Sequence, residues 1–406
     1  MNVWVETKSF LRECYHEINK RGNGRDKNLW VLGEWFGKKC CDNTMYFANY
    51  IAEYHPEVKL VWVGRLDTDY SRLNKKIKVI EMDNPLSKKI LKKAGVAVMN
   101  QGYVDFDKNG NYFFDGAITV NLWHGIPWKK INYDINKRGR IAWLYRKLFN
   151  KIKNAEYYLI PSKEAEEKFK TAFLVNEKKE IKAGYPRNSG FYRKKFVEEC
   201  RKKIVSMIDV PSNCKIIAYM PTFRDKDNTV FSFKDLMSVP ENDTNYKNVK
   251  RLNKILEDNN AIIVEKSHYI SERIKKENEI AIKGRVKSVI DVTASELLAS
   301  ADMLISDYSS CFFDYLILNR PIIHYLYDYN YYVKKDRGVY YSKEDVVCGK
   351  VAERIDQLLD CIEKYIENPE EDEELRLKQK EKFWKYDDYD SCEKIYRFIR
   401  GLQNKR

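Results

Sequence analysis

Residues 121–130 (NLWHGIPWKK) place His124 at the end of an apolar run, and Gly125 and Pro127 turn the chain at once. An imidazole titrates near neutrality, so a histidine presented at a strand end suits removal of a proton from a hydroxyl. Five histidines occur, at 16, 55, 124, 268 and 324. His268 stands in a matching place in residues 265–268 (EKSH), where it would meet a phosphate or a leaving group. For both, the plain alternative is a packed or capping histidine in a turn. Lys129 and Lys130 follow closely and either attract phosphate or sit in water.

Two more junctions suit anions. Residues 215–225 end in PTFRD, so Pro221 breaks the apolar run and Thr222 and Arg224 emerge after it. A guanidinium fork matches phosphate oxygens, unless Asp225 takes it as a surface pair. Ser306, Asp307, Tyr308, Ser309 and Ser310 bridge another apolar run to an apolar helix over 311–318. Hydroxyls and free N–H groups at a helix start bind phosphate, with the same geometry by which Asp307 or Ser309 would cap the helix. Asp314, one turn in, needs a cationic partner or a ligand hydroxyl.

Residues 138–153 (RGRIAWLYRKLFNKIK) carry six basic residues and no acidic one. Trp143, Leu144, Leu148 and Phe149 fall at roughly helical spacing among cations that include Arg146 and Lys147. Such a helix lies in a membrane interface, apolar side down and cations toward anionic head groups, or packs on its own domain with a solvated basic face. Other patterns lead nowhere. Residues 33–38 (GEWFGK) are one residue short of a P-loop, and no GxGxxG follows a strand. The nine cysteines form no CxxC pair, and no His and carboxylate cluster has metal-ligand spacing, so reduced thiols in a cytoplasmic protein are expected and no metal site is.

Something must hold these junctions in place. The chain has 406 residues, enough for two domains, and a 44% hydrophobic share with 14% aromatics rules out disorder. Short apolar runs at 28–33, 59–64, 96–100, 118–123, 157–160 and 181–184 alternate with helical patterns at 43–54, 85–94 and 163–172. The pattern restarts at 215–220, 261–265, 289–292, 303–306 and 321–325, with helices at 246–259 and 294–301. Buried strands alternating with helices imply mostly parallel sheets covered on both faces. The expected organisation is α/β: two Rossmann-like domains, 1–195 and 196–406, facing across a cleft, with a helical tail over 352–405 interrupted at Pro369. Ligands in such sheets bind beyond the carboxyl ends of the strands, where all four junctions fall. No apolar stretch is long enough to span a membrane, and the first 20 residues lack a signal-peptide core.

Six strings, in order, resemble the CDP-glycerol glycerophosphotransferases of teichoic acid and capsule polymer synthesis. They are WVLGEWFGKKCCDN from Trp30, NLWHGIPWKKI, AGYPRNSGF from Ala183, AYMPTFRD, ADMLISDYSSCFFDYLILNRPIIHYLYD from Ala301, and RGVYY from Arg337. The resemblance implies a GT-B arrangement with an N-terminal acceptor and membrane side and a C-terminal CDP-donor side. It implies transfer of a polyol phosphate, most simply glycerol phosphate, to a hydroxyl of a lipid-linked (undecaprenyl diphosphate) saccharide, releasing CMP. His124 would be the base, His268 would contact donor phosphates, and Ser309 and Ser310 would hold the diphosphate. Arg187, Thr222, Arg224, Asp307 and Asp314 would line the site. No cofactor is implied beyond the donor itself, and assistance by a divalent cation stays open. Three positions depart from the family pattern: Ile126 for Thr, Tyr269 for Pro and Ser189 for Asp. The short N-terminal region favours a primase-like enzyme.

The net charge of +14 favours phosphorylated substrates and the anionic cytoplasmic face of a bacterial membrane, where a peripheral enzyme is expected. Rival readings are a CDP-ribitol donor, a sugar-nucleotide glycosyltransferase on the same frame, and a basic nucleic-acid-binding protein. The last is disfavoured because the basic residues are dispersed and no nucleic-acid module is recognisable.

Overall fold

The computed structural model describes residues 24–110, 113–135, 155–222, 230–266, 282–335 and 338–406. Its first sheet contains β1 (Asp26–Leu32), β2 (Lys59–Gly64), β3 (Lys78–Glu81), β4 (Ala94–Met99), β5 (Ile118–Asn121), β6 (Tyr157–Ile160) and β7 (Glu180–Lys182). They run in the order β3-β2-β1-β4-β5-β6-β7, all parallel. The second sheet contains β8 (Lys215–Met220), β9 (Ala261–Glu265), β10 (Ile282–Lys283), β11 (Val286–Ser288), β12 (Met303–Ser306), β13 (Ile322–Tyr325) and β14 (Lys350–Ala352). Its order is β10-β11-β9-β8-β12-β13-β14, with β10 and β11 antiparallel and the other pairs parallel.

Strands β4, β5, β6, β9 and β12 are buried at every position, which requires cover on both faces. Helices Asn43–Tyr54, Pro85–Leu91 and Lys163–Ala172 follow strands of the first sheet; Tyr246–Asp258 and Ala294–Ser300 follow strands of the second. Their starts are written locally: Ser162 accepts from Ala165 N, and Thr293 with Glu296 forms a capping box. Val249, Leu252, Ile255 and Leu256 line one face of Tyr246–Asp258 and pack with Phe233, Ile263 and Leu358 in the core of the second sheet. Each such side chain contributes roughly 1.5–3 kcal/mol on burial.

Among the described residues, the first compact unit draws on 24–124, 132–189 and 385–406, and the second on 125–131 and 190–384. One junction near residue 195 was the expectation. The main crossing lies instead between Ser189 and Gly190, and two short pieces change sides. Residues 125–131 belong to the second unit because Trp128 is buried there against Tyr308 and Phe312, its indole N–H donating to Tyr341 O at 3.0 Å. Helix Ser391–Lys405 belongs to the first unit, burying Cys392, Ile395 and Ile399 while Tyr396 stacks on His55 at 3.5 Å.

Several elements differ from the sequence expectation. Strands β3 and β14 were not expected: each mixes exposed and buried positions and carries lysine, so neither reads as an apolar run. The run at 289–292 is a bend rather than a strand, apolar because Val289 and Val292 are buried. The pairing strand beside it is β11 (VKS). The basic helix ends at Leu91, before the expected 94, because β4 begins at Ala94. The apolar helix after Ser310 is α-helical over Cys311–Tyr315, tightens to a 3-10 turn over Leu316–Leu318, and ends at Asn319 in a left-handed conformation.

Candidate active site

Both sheets reverse their winding direction at one point, between β1 and β4 in the first and between β8 and β12 in the second. Loops leaving the carboxyl ends of those strands diverge there and open a crevice. In each unit, side chains stitch the two diverging loops together.

In the first unit the loop after β1 takes an unusual path. Trp35 and Phe36 both adopt left-handed backbone conformations, with φ of 49° and 59°. Such residues persist only where surroundings over-determine them. Trp35 N donates to Asn100 Oδ1 at 3.1 Å, Phe36 N to Asp105 Oδ1 at 2.9 Å, and the Trp35 indole to Asp42 Oδ2 at 2.9 Å. Gly33 permits the approach, because a Cβ there would stand 2.8 Å from Asp105 O. Glu34, wholly buried, accepts from the backbone N–H groups of Cys41, Asp42 and Met45. Burial, reinforced by the Asp42 charge, drives the Glu34 carboxyl well above the ordinary carboxylate range.

On the other side, Asp105 Oδ2 accepts from Asn100 N, Gln101 N and Gly102 N at 3.0, 2.8 and 3.4 Å, fixing the loop after β4. Burial raises this carboxyl to about 7 against the pull of its amide donors. His124 lies just beyond β5, beside these loops. Its Nδ1 is 3.3 Å from Asn100 O and 3.2 Å from the Gln101 amide, whose two ends interchange by rotation. A carbonyl only accepts, so the contact with Asn100 O places the proton on Nδ1 and leaves Nε2 with a free lone pair. The ring sits between the indoles of Trp35 and Trp123, at 5.4 and 4.0 Å. Burial lowers its pKa from 6.5 to about 4, with the opposing pull of Asp42 smaller. The side chain is therefore a neutral imidazole at physiological pH, able to accept a proton.

Arg187, in the turn after β7, joins this group. Its Nη1 donates to Asp42 Oδ1 at 2.6 Å and to the main-chain oxygen of His124 at 2.9 Å. Asn43 completes the ring, accepting from Arg187 N and donating to Trp123 O.

In the second unit the stitch is Thr222 to Asp307, from the end of β8 to the end of β12. Asp307 is wholly buried and accepts from Thr222 N at 2.9 and 3.0 Å, Thr222 Oγ1 at 2.6 Å and Tyr308 N at 2.6 Å. Both side chains thus face each other and hold the loop. Ser309 and Ser310 follow, half-buried at the start of the helix; Ser309 Oγ accepts from Cys311 N at a long 3.5 Å, and Ser310 makes no side-chain cap bond. Tyr308 stacks on Tyr332 at 3.7 Å and donates to Asp328 at 2.9 Å, and Lys129 Nζ lies 4.7 Å from the centre of the Tyr332 ring. Asp314 is buried within helix Cys311–Tyr315.

The remaining sequence candidates, His268, Arg224, Trp143, Leu144, Arg146, Lys147, Leu148 and Phe149, lie outside the described residues. Sequence reasoning assigned no role to Glu34, Trp35, Asp42, Asn100, Gln101 or Asp105. Their signal was a cluster of polar residues directly after strands β1 and β4, visible but shared with any loop. Among the described residues no group of three or more His, Cys, Asp or Glu is placed to hold a metal ion.

The family model described as CDP-glycerol:poly(glycerophosphate) glycerophosphotransferase matches residues 18–401. The chain is 28% identical over 361 residues to a teichoic acid poly(glycerol phosphate) polymerase of Staphylococcus epidermidis, covering 86% of this chain and 47% of that protein. It is 27% identical over 383 residues to a teichoic acid glycerol-phosphate transferase of Staphylococcus aureus, covering 92% and 93% respectively. It therefore spans about half the length of the first and nearly all of the second. The solved wall teichoic acid polymerase TagF superposes with a TM-score of 0.76 at 21% identity, covering 100% of this chain and 99% of that one. The fold is the GT-B type that the resemblance implied.

Proposed function

The chain belongs to the CDP-glycerol:poly(glycerophosphate) glycerophosphotransferase family, and from that premise we propose that it transfers glycerol phosphate from CDP-glycerol to a hydroxyl of a lipid-linked acceptor in teichoic acid or capsule polymer synthesis, releasing CMP. The observation that carries this reading is His124: a neutral imidazole whose Nδ1 faces a carbonyl and whose Nε2 is left to act as a base.

His124 Nε2 takes the proton of the acceptor hydroxyl as that oxygen attacks the phosphorus bearing glycerol. The bond from that phosphorus to the bridging oxygen breaks, and CMP leaves with the electron pair. Such transfers depend on alignment and charge neutralisation. Ser309 and Ser310 donate to the diphosphate from the turn braced by Thr222 and Asp307, while Arg187 braces the backbone of the base. His268, Arg224 and Asp314 keep the roles their motifs imply, as donor-phosphate or lining groups.

The same reading places the enzyme on an anionic membrane surface. The net charge of +14 supports it, and among the described residues no helix is long and apolar enough to cross a bilayer. Replacing Trp143, Leu144, Leu148 and Phe149 with Ser or Gln is expected to release the protein from anionic liposomes while turnover on a soluble acceptor persists. Unchanged liposome binding would return the 138–153 segment to packing on its own domain.

The test of the central reading is CMP release from CDP-glycerol and, separately, CDP-ribitol, each with a lipid-linked acceptor analogue, in wild type and His124→Ala. Acceptor-dependent release from CDP-glycerol that collapses in the folded variant supports it. Release from CDP-ribitol alone reassigns the donor, and release from neither removes the substrate assignment.

A further inference from the structure

We propose that Asp105 is a positioning residue for His124: its two oxygens lock the loop after β1 to the loop after β4 and thereby fix the tautomer and aim of the imidazole. The proposal rests on the reading of His124 as the base and adds what keeps that base aligned.

The carboxylate is shared between two loops. Oδ1 accepts from Phe36 N at 2.9 Å, on the loop after β1. Oδ2 accepts from Asn100 N, Gln101 N and Gly102 N, on the loop after β4. Both loops touch His124. The first sets the Trp35 ring 5.4 Å from the imidazole, and the second brings Asn100 O and the Gln101 amide to Nδ1. Asn100 adds a second tie, Oδ1 accepting from Trp35 N. Released from these ties, Trp35 and Phe36 would leave the left-handed region, which ordinary residues avoid. The indole against the imidazole would keep its bond to Asp42 but lose the backbone that aims it.

The residue type follows from the geometry. The four amide contacts of Asp105 are all donors and favour the ionised form, in which the carboxyl offers two acceptor-only oxygens, one for each loop. An asparagine offers one oxygen and one N–H₂ group, and the latter would point a donor at a donor. Either the Phe36 side or the 100–102 side must then let go. Asp105 is wholly buried, so water does not replace the lost acceptor.

The experiment compares Asp105→Asn and Gly102→Ala with wild type. Gly102 has a φ of 136° and a Cβ there would meet nothing within 4 Å, so alanine acts only by straining the backbone of the 100–102 loop. Two readouts are taken: ¹⁵N histidine spectra, with the His124 signals identified by their loss in His124→Ala, and steady-state CMP release. Wild type is expected to show His124 as the Nδ1–H tautomer. In Asp105→Asn the two tautomers mix, kcat falls at least ~10-fold and KM for CDP-glycerol changes by less than about twofold. Gly102→Ala moves both readouts in the same direction and decides the matter if Asp105→Asn does not fold. A folded variant that keeps the wild-type tautomer overturns the proposal, whether or not its kcat falls. Full activity in His124→Ala would sink the base assignment instead, and the tautomer comparison would still judge Asp105.

Discussion

Arg187 holds His124 by its main chain: Nη1 donates to the histidine's carbonyl oxygen at 2.9 Å and to the Asp42 carboxylate at 2.6 Å. Asp42 therefore bears on the backbone of the base through an arginine. Both members of the ion pair are nearly buried, with side chains 9% and 8% exposed. Removing one member strands the other. Arg187→Gln is expected to lose ~3–5 kcal/mol in urea unfolding. Adding Asp42→Asn should recover part of that stability while CMP release stays low, because the His124 carbonyl still lacks its donor. Full recovery of turnover in the double variant would assign the pair to stability alone.

The pH profile tests the base directly. A histidine of ordinary pKa would lose activity as pH falls through 6.5, whereas His124, lowered to about 4, stays unprotonated down to that value. In the free enzyme the acid limb of kcat/KM assigned to His124 itself should therefore lie near pH 4, separate from a limb near pH 7 where Asp105 takes up its proton. His124→Ala should lower kcat by about 10²–10⁴-fold. An acid limb near 6.5 that persists in Asp105→Asn would contradict the burial argument.

His324 makes a separate prediction about stability. It is wholly buried on β13, and its Nε2 accepts from Cys348 N at 3.2 Å, which leaves the proton on a buried Nδ1 without a hydrogen-bond partner. Burial lowers its pKa from 6.5 to about 4. The folded state disfavours the charged form, so the contribution is complete above pH 6.5 and disappears as pH falls toward 4. The span corresponds to about 3 kcal/mol. His324→Gln should flatten that part of the stability–pH curve in urea titrations at pH 7, 6, 5 and 4. An unaltered slope would place the acid sensitivity elsewhere.

In the second unit, Thr222→Val keeps the shape and removes one 2.6 Å hydrogen bond to Asp307. It is expected to cost about 1–2 kcal/mol and to raise KM for CDP-glycerol more than it lowers kcat. Ser309→Ala with Ser310→Ala should raise the same KM by roughly 10-fold or more, with unfolding unchanged. A wild-type KM in the serine double variant would move the diphosphate away from this turn.

The sheets were legible because fully buried parallel strands must be continuous apolar runs, as in β4 (AGVAVM) and β9 (AIIVE). Strands β3 and β14 escaped notice because part of each faces solvent, and a lysine there costs nothing. His124 and Ser309 stood out because they follow such runs at once. Asp105 did not. Its importance lies in which amides it meets, from residues 36 and 100–102, and that depends on β1 and β4 being neighbours despite the two strands between them in sequence. Arg187 was found only through its motif, since nothing in its spacing announces Asp42, 145 residues away.

The first unit takes its last helix, Ser391–Lys405, from the far end of the chain. A ribosome making this protein completes β1 to β7 early, yet Trp30 and His55 wait for Tyr396 until residues 190–384 of the second unit have been made. Domains generally fold during synthesis as their residues emerge. Here the first unit cannot finish before the second has been translated, and a nascent chain stalled at residue 380 would hold a base whose supporting sheet still lacks one of its covers.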